Sequence, residues 1–128
     1  MTIEQVVDRL TMIMVAVSNM PKAKEFYEDM LGLKVATDYR QDDDNWYVSV
    51  TLPEGGVTIT LSTHHEHMQP GTMTVYFATS DVTAAHKALS EKGLKVNEIK
   101  NDLYGPGSGV KWFSLEDPDG NRVLIAQG

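Results

Sequence analysis

The chain contains no cysteine. That removes disulfides, thiolate metal centres and cysteine nucleophiles, and it suits a reducing cytoplasm, where the protein is expected. No apolar run approaches the ~18 residues that a membrane span requires. The opening stretch, MTIEQVVDRLTM, lacks a basic segment followed by a long apolar core, so no secretory signal is expected. Basic residues are the minority, 11 Lys+Arg against 18 Asp+Glu, for a net charge of −7. No basic stripe reverses that balance, which makes nucleic acid and anionic membranes poor partners and leaves neutral or cationic small ligands. Aromatics are 8% of the chain, so each one on an accessible face carries weight.

What is present is ordinary for a folded globular chain: 128 residues and 41% hydrophobic residues, enough for one domain over 1–128 with one core. Period-two alternation marks a strand at LTMIMVAV (10–17). A helix follows in SNMPKAKEFYEDMLG. Ser18 or Asn19 can cap it, Pro21 suits its first turn, Phe26, Tyr27, Met30 and Leu31 form its apolar stripe, and Gly32 suits the left-handed residue after it. Three strands follow, LKVATDY (33–39), NWYVSVTL (45–52) and VTITLS (57–62), separated by the turns QDDD and PEGG. The second half repeats the order. A strand TMTVYFAT (72–79) is followed by a helix capped by Ser80 or Asp81 and ended by Gly93, then by strands at 94–100, 110–116 and 122–127. The last two are joined by DPDGN. A repeat of about fifty-five residues, one βαβββ unit each, is a stronger signal than any single motif. Module one is about 9–62, the linker 63–71 and module two about 72–127.

The alternation assigns two faces to each sheet. Ile13, Val15, Val17, Val48, Val50, Leu52, Val57, Ile59 and Leu61 share one face in module one; Met73, Val75, Phe77, Phe113, Leu115, Val123 and Ile125 share it in module two. These are expected beneath the helices. The opposite face carries hydroxyls, methionines and aromatics, including Met12, Tyr47, Thr60, Thr74, Tyr76, Trp112, Arg122 and Leu124. A curved sheet would make that face a cup with an apolar wall and scattered polar groups, the usual character of a small-molecule pocket. A face packed on a partner chain, or on the chain's own other half, would read the same way.

The stretches VAVSNMPKAKEFYEDMLGLKV (15–35), DVTAAHKALSEKGLKV (81–96) and VKWFSLEDPDGNRVLI (110–125), with the duplicated unit, resemble the vicinal oxygen chelate superfamily of glyoxalase I, extradiol dioxygenases and the fosfomycin- and bleomycin-resistance proteins. The resemblance implies an α+β fold in which two βαβββ modules form a cup-shaped mixed sheet with helices on the outer face. It also implies a homodimer. Metalloenzymes of the family draw ligands from cup-facing positions on the first and last strands of each module. Here Met12, Thr60, Thr74 and Leu124 align with them, and none supplies the imidazole or carboxylate such a metal needs.

The other chemistry-bearing stretch is THHEHMQPG (63–71), with three of the four histidines. It falls in the linker, about 13 Å beyond Thr60 at ~3.3 Å per residue, too far to serve the family's metal position. It reads as a solvated loop, with His64, His65 and His67 as an alternative metal site, assisted by Glu66. His86 is expected to be exposed on the second helix. Arg122 could hold an anionic headgroup, and Tyr76 and Trp112 could sandwich a planar ligand. Glu116 could act as a base or pair with Arg122. YGPGSG (104–109) lacks the lysine and setting of a phosphate-binding loop and is expected to be a flap over the cup.

The expected function is capture of a small organic molecule in the cup without a metal cofactor. Two alternatives remain open. One is a lyase, isomerase or dioxygenase-type enzyme, using Zn, Ni, Mn or Fe at a site other than the family's, or metal-free acid–base catalysis by Glu116, Tyr76 or Arg122. The other is a non-catalytic assembly module.

Overall fold

A computed structural model describes residues 5–128. The first four residues, part of the stretch read as lacking a secretory signal, lie outside it. Module one opens with β1 (Met12–Ala16), followed by α1 (Met20–Lys24), whose winding widens to a π-helix over Glu25–Met30. Asn19 is the cap: its side chain accepts from the Lys22 backbone N–H at 3.1 Å, with Pro21 in the first turn. The wider turn lets the consecutive side chains Phe26 and Tyr27 both point inward, edge to face with centroids 5.0 Å apart. Then come β2 (Lys34–Asp42), β3 (Asn45–Thr51) and β4 (Thr58–Ser62). The sheet order is β1-β4-β3-β2, with β1 and β4 parallel and the other neighbours antiparallel.

Module two repeats this with β5 (Thr74–Thr79), α2 (Val82–Glu91, capped by Asp81), β6 (Trp112–Glu116) and β7 (Arg122–Gln127) in the order β5-β7-β6. The architecture is α+β with two mixed sheets. One element departs from expectation: residues 94–100 do not form a regular strand. They lie beside β6 through an Asn97 N–H to Ser114 C=O bond (2.9 Å) and a reciprocal Lys100–Trp112 bridge. The cause is a slip in alternation. Leu94, Val96 and Ile99 all pack on the core, and inward residues at 96 and 99 cannot share one pleat. Instead His86, half-buried on α2, donates from Nε2 to the Asn97 carbonyl at 2.9 Å and meets Phe113 edge-on. That corrects the expectation of an exposed His86.

The helix-facing residues form one core across both modules. Val15, Val17, Val48, Val50, Ile59, Leu61, Val75, Phe113, Leu115, Val123 and Ile125 are buried together with Met20, Phe26, Tyr27, Val82 and Leu89. Ile13, expected among them, lies 38% exposed near the start of β1. Burying a Val, Leu, Ile or Phe side chain contributes about 1.5–3 kcal/mol, so this cluster is the main apolar contribution to the stability of the fold.

A polar knot sits at the edge of that core. The turn between β6 and β7 carries Asp117 and Asn121, 5% and 0% exposed. Tyr27 Oη donates to Asp117 Oδ2 at 2.7 Å, Asn121 Nδ2 donates to the same oxygen at 2.8 Å, and the backbone N–H groups of Asp119 and Asn121 donate to Oδ1 at 2.9 and 2.8 Å. Asn121 Nδ2 also reaches the Ala16 carbonyl at the end of β1, while its Oδ1 accepts from the N–H groups of Gly71 and Met73. Asp119 in turn accepts from the Ser18 N–H at 3.1 Å and from the Ser18 hydroxyl.

Burial, reinforced by the Asp117 charge and hydrogen bond, pushes the Tyr27 phenol far above its ordinary value. The native state therefore holds this proton more tightly than the unfolded chain. The resulting stability is complete below about pH 10 and falls as pH rises beyond it, by up to ~1.4 kcal/mol per unit. Urea unfolding between pH 9 and 11.5 should show Tyr27→Phe losing less with rising pH than the parent. Parallel curves would contradict this.

Candidate functional site

The cup-facing positions are laid out by strand register. In module one, Met12 lies opposite Thr58, Met14 opposite Thr60, Ser49 opposite Thr60, and Tyr47 opposite Ser62. In module two, the rows are Thr74–Arg122–Glu116, Tyr76–Leu124–Ser114 and Ala78–Ala126–Trp112. The parity argument therefore places the candidate side chains on one face of each sheet. No ladder joins the two sheets among the described residues, so each carries half of the face.

The first half is an apolar rim around paired hydroxyls. Thr60, 3% exposed, donates to the Met12 sulfur at 3.1 Å and sits 3.1 Å from the Ser49 hydroxyl. Tyr47 is half-buried, and Met12 is 49% exposed. In the second half Leu124 is buried at 2%, Trp112 is half-buried, and Tyr76 is 62% exposed. The Trp112 indole N–H donates to Asp102 Oδ1 at 3.1 Å, which fixes the ring. Ser114 is tied to Asn97, whose Nδ2 donates to its hydroxyl at 2.6 Å. Thr74, Lys95, Asn97, Ser114, Glu116 and Arg122 line an open cavity of about 720 Å³.

One pairing that the sequence left open is not made. Glu116 and Arg122 are register partners, yet among the described residues no carboxylate lies within 4.0 Å of Arg122. The guanidinium reaches along the sheet, its carbon 5.9 Å from the centroid of Trp112. The four positions aligned with the family's metal ligands also do not converge as donors. Met12 and Thr60 bond each other, Thr74 is exposed, and Leu124 offers only an alkyl group. This set does not fit a divalent ion, which would need deprotonated or imidazole donors at ~2 Å.

The linker places its histidines separately. His65 Nε2 donates to the Val17 carbonyl at 2.7 Å, and the Ser62 hydroxyl bridges the backbone of His64. His64 and His67 flank Glu66 at 3.3 and 3.8 Å on the surface. Among the described residues no three His, Asp or Glu side chains are grouped as a metal would require.

Lys95 and Asn97 line the cavity with Ser114 but went unnoticed in the sequence, because residues 94–100 read as a plain strand. Trp46, the other tryptophan, is on the helix side. Arg40 lies over its ring at 4.3 Å, and its indole donates to Asp38 at 2.6 Å. Hydrogen bonds from Lys24 and then Trp46 hold the Asp38 carboxyl below its ordinary range.

Comparison with known proteins places this geometry. The sequence model of the Glyoxalase/Bleomycin resistance protein/Dioxygenase superfamily matches residues 9–125. The chain is similar to "Virulence protein STM3117" of Salmonella typhimurium, 26% identical, covering 98% of this chain and 88% of that protein. Its fold matches the crystal structure of TnmS3, an antibiotic binding protein from Streptomyces sp. CB03234, with a TM-score of 0.84 and 26% identity over 97% of this chain and 98% of that one. A glyoxalase/bleomycin resistance protein from the same organism matches with a TM-score of 0.77 and 27% identity over 92% and 99%. No helix among the described residues is long and apolar enough to cross a membrane.

Proposed function

Because the chain belongs to the Glyoxalase/Bleomycin resistance protein/Dioxygenase superfamily, we propose that it captures a small organic molecule on its cup face, without a metal ion, and that it does so as a homodimer. The observation that carries this reading is the Met12–Thr60–Ser49 contact. At the place where a metal-dependent relative needs strong donors, this chain has a thioether and hydroxyls bonded to one another. What remains is a surface of methionine, tyrosine, tryptophan and hydroxyls, suited to stacking and burying a ligand. The likeness to an antibiotic binding protein supports capture over turnover. Exposed apolar side chains support a second copy: Tyr76 and Met12 on the open face, and Val6, Val7 and Leu10 ahead of β1.

The test uses untagged protein dialysed against a chelator. Elemental analysis should find far less than one metal ion per chain, and sedimentation should give twice the 14.2 kDa chain mass. Planar organic compounds titrated in chelator should change Trp112 emission, and Trp112→Ala should weaken binding at least about tenfold. Retention of one metal ion per chain would sink the metal-free reading. A monomer at all concentrations would sink the dimer. A panel whose binding ignores the Trp112 substitution would sink the cup as the capture surface.

A further inference from the structure

The second half of the cup gathers cations that, among the described residues, no carboxylate pairs, in a chain whose net charge is −7. Three cations surround its tryptophan end and cavity. The Arg122 guanidinium lies 5.9 Å from the Trp112 centroid and the Lys100 ammonium 5.7 Å from it. Lys95 shares the lining of the adjacent cavity with Arg122. Among the described residues none of the three has a carboxylate within 4.0 Å. Two exposed carboxylates are close by. Asp102 is engaged by the indole N–H, and Glu116 stands across the hairpin from Arg122 without reaching it. Asp117, which also borders the cavity, is buried in the knot with Tyr27 and Asn121.

A guanidinium over an aromatic ring, 5.9 Å from its centroid and with no carboxylate holding its fork, presents donors at the edge of a stacking surface. Its planar N–H groups match a carboxylate or sulfonate in bidentate geometry, which an ammonium cannot do. We propose that the second half-cup selects planar aromatic molecules bearing an anionic group: the ring stacks on Trp112, and the anion is taken by Arg122, with Lys100 and Lys95 adding to the local field. This rests on the capture reading above and deepens it by naming the ligand class. It runs against the overall charge, which would favour a cation. Distance decides between them. Surface charges more than ~10 Å away are largely screened at 0.1 M salt, whereas an anion on the Arg122 fork is in direct contact.

The experiment compares three probes of one shape: naphthalene-2-carboxylate, naphthalene-2-methanol and naphthalen-2-ylmethylammonium, titrated calorimetrically into the intact protein in chelator. The carboxylate should bind at least about tenfold tighter than the alcohol, and the ammonium most weakly. Arg122→Met should close the gap between carboxylate and alcohol; Arg122→Lys, which keeps the charge but loses the fork, should restore part of it. Equal binding of carboxylate and alcohol, tighter binding of the ammonium, or a carboxylate preference that survives Arg122→Met would overturn this inference and leave the capture reading standing. Failure of all three probes to bind would overturn both.

Discussion

Replacing Asn121 by alanine is expected to cost about 3–5 kcal/mol, a large share of the 5–15 kcal/mol that a domain of this size has. The side chain is 0% exposed and uses all four of its hydrogen-bonding positions. Its carbonyl oxygen serves two N–H groups in the linker and at the start of module two, and its amide serves Ala16 in module one and Asp117 in the turn. Alanine strands two part-buried donors and one buried acceptor at once. Each unpaired buried group costs about 1–3 kcal/mol, with the sum reduced because the sites share neighbours. Asn121→Asp should also be destabilising, since it puts a second carboxylate beside Asp117. Urea unfolding monitored by circular dichroism reads the loss as a lowered midpoint at unchanged slope. A cost below ~1 kcal/mol would mean that water replaces the amide and that the knot is not what joins the modules.

The second large effect is expected at Gly71. Its φ is +85°, and a Cβ built there would lie 2.6 Å from the Asp119 carbonyl oxygen. That contact is with the backbone of the β6–β7 turn, so no side-chain rotation relieves it. Gly71→Ala should cost about 2–4 kcal/mol, combining the left-handed backbone with displacement of the turn. Gly32→Ala is the control. Its φ is +82°, yet nothing lies within 4 Å of the built Cβ, so it should cost only about 1 kcal/mol. Thermal unfolding of both variants separates the two causes, and equal losses would remove the close approach from the account.

These residues show what was legible in the sequence and what was not. Side-chain alternation identified the faces because it is local. Val48 and Val50 point one way and Tyr47 and Ser49 the other whatever the rest of the chain does. The duplicated unit disclosed the architecture for the same reason. Asn121 looked like one polar member of a DPDGN turn. Its burial depends on Gly71 and Ala16, 50 and 105 residues away in sequence, and no local pattern encodes those contacts. Residues 94–100 misled because the short run LKV alternates, while the slip that prevents a ladder comes three residues later, at Ile99. Arg122 was placed on the correct face by parity. Parity does not say whether a long side chain turns across the hairpin to Glu116 or along the sheet to Trp112. That the aligned positions carry no imidazole or carboxylate was legible, since it depends only on residue identity, and the Met12–Thr60 contact adds how the hydroxyl is occupied.

The irregular backbone of residues 94–111 gives the two halves of the cup different constructions. In module one the face is backed by four laddered strands, and the hydroxyls of Ser49 and Thr60 are locked together. In module two the tryptophan stands on the outermost laddered strand, and its neighbour Lys100 and anchor Asp102 lie on a segment held by isolated hydrogen bonds rather than by a ladder. Segments held this way open locally at a fraction of the free energy of global unfolding. If the cup takes a ligand as proposed, its first half is the more rigid side and its second the more adaptable one. Insertions and substitutions in 101–109 can alter the shape that the adaptable side accepts without touching the shared core, so selection for a new ligand has a place to act at little risk to the fold.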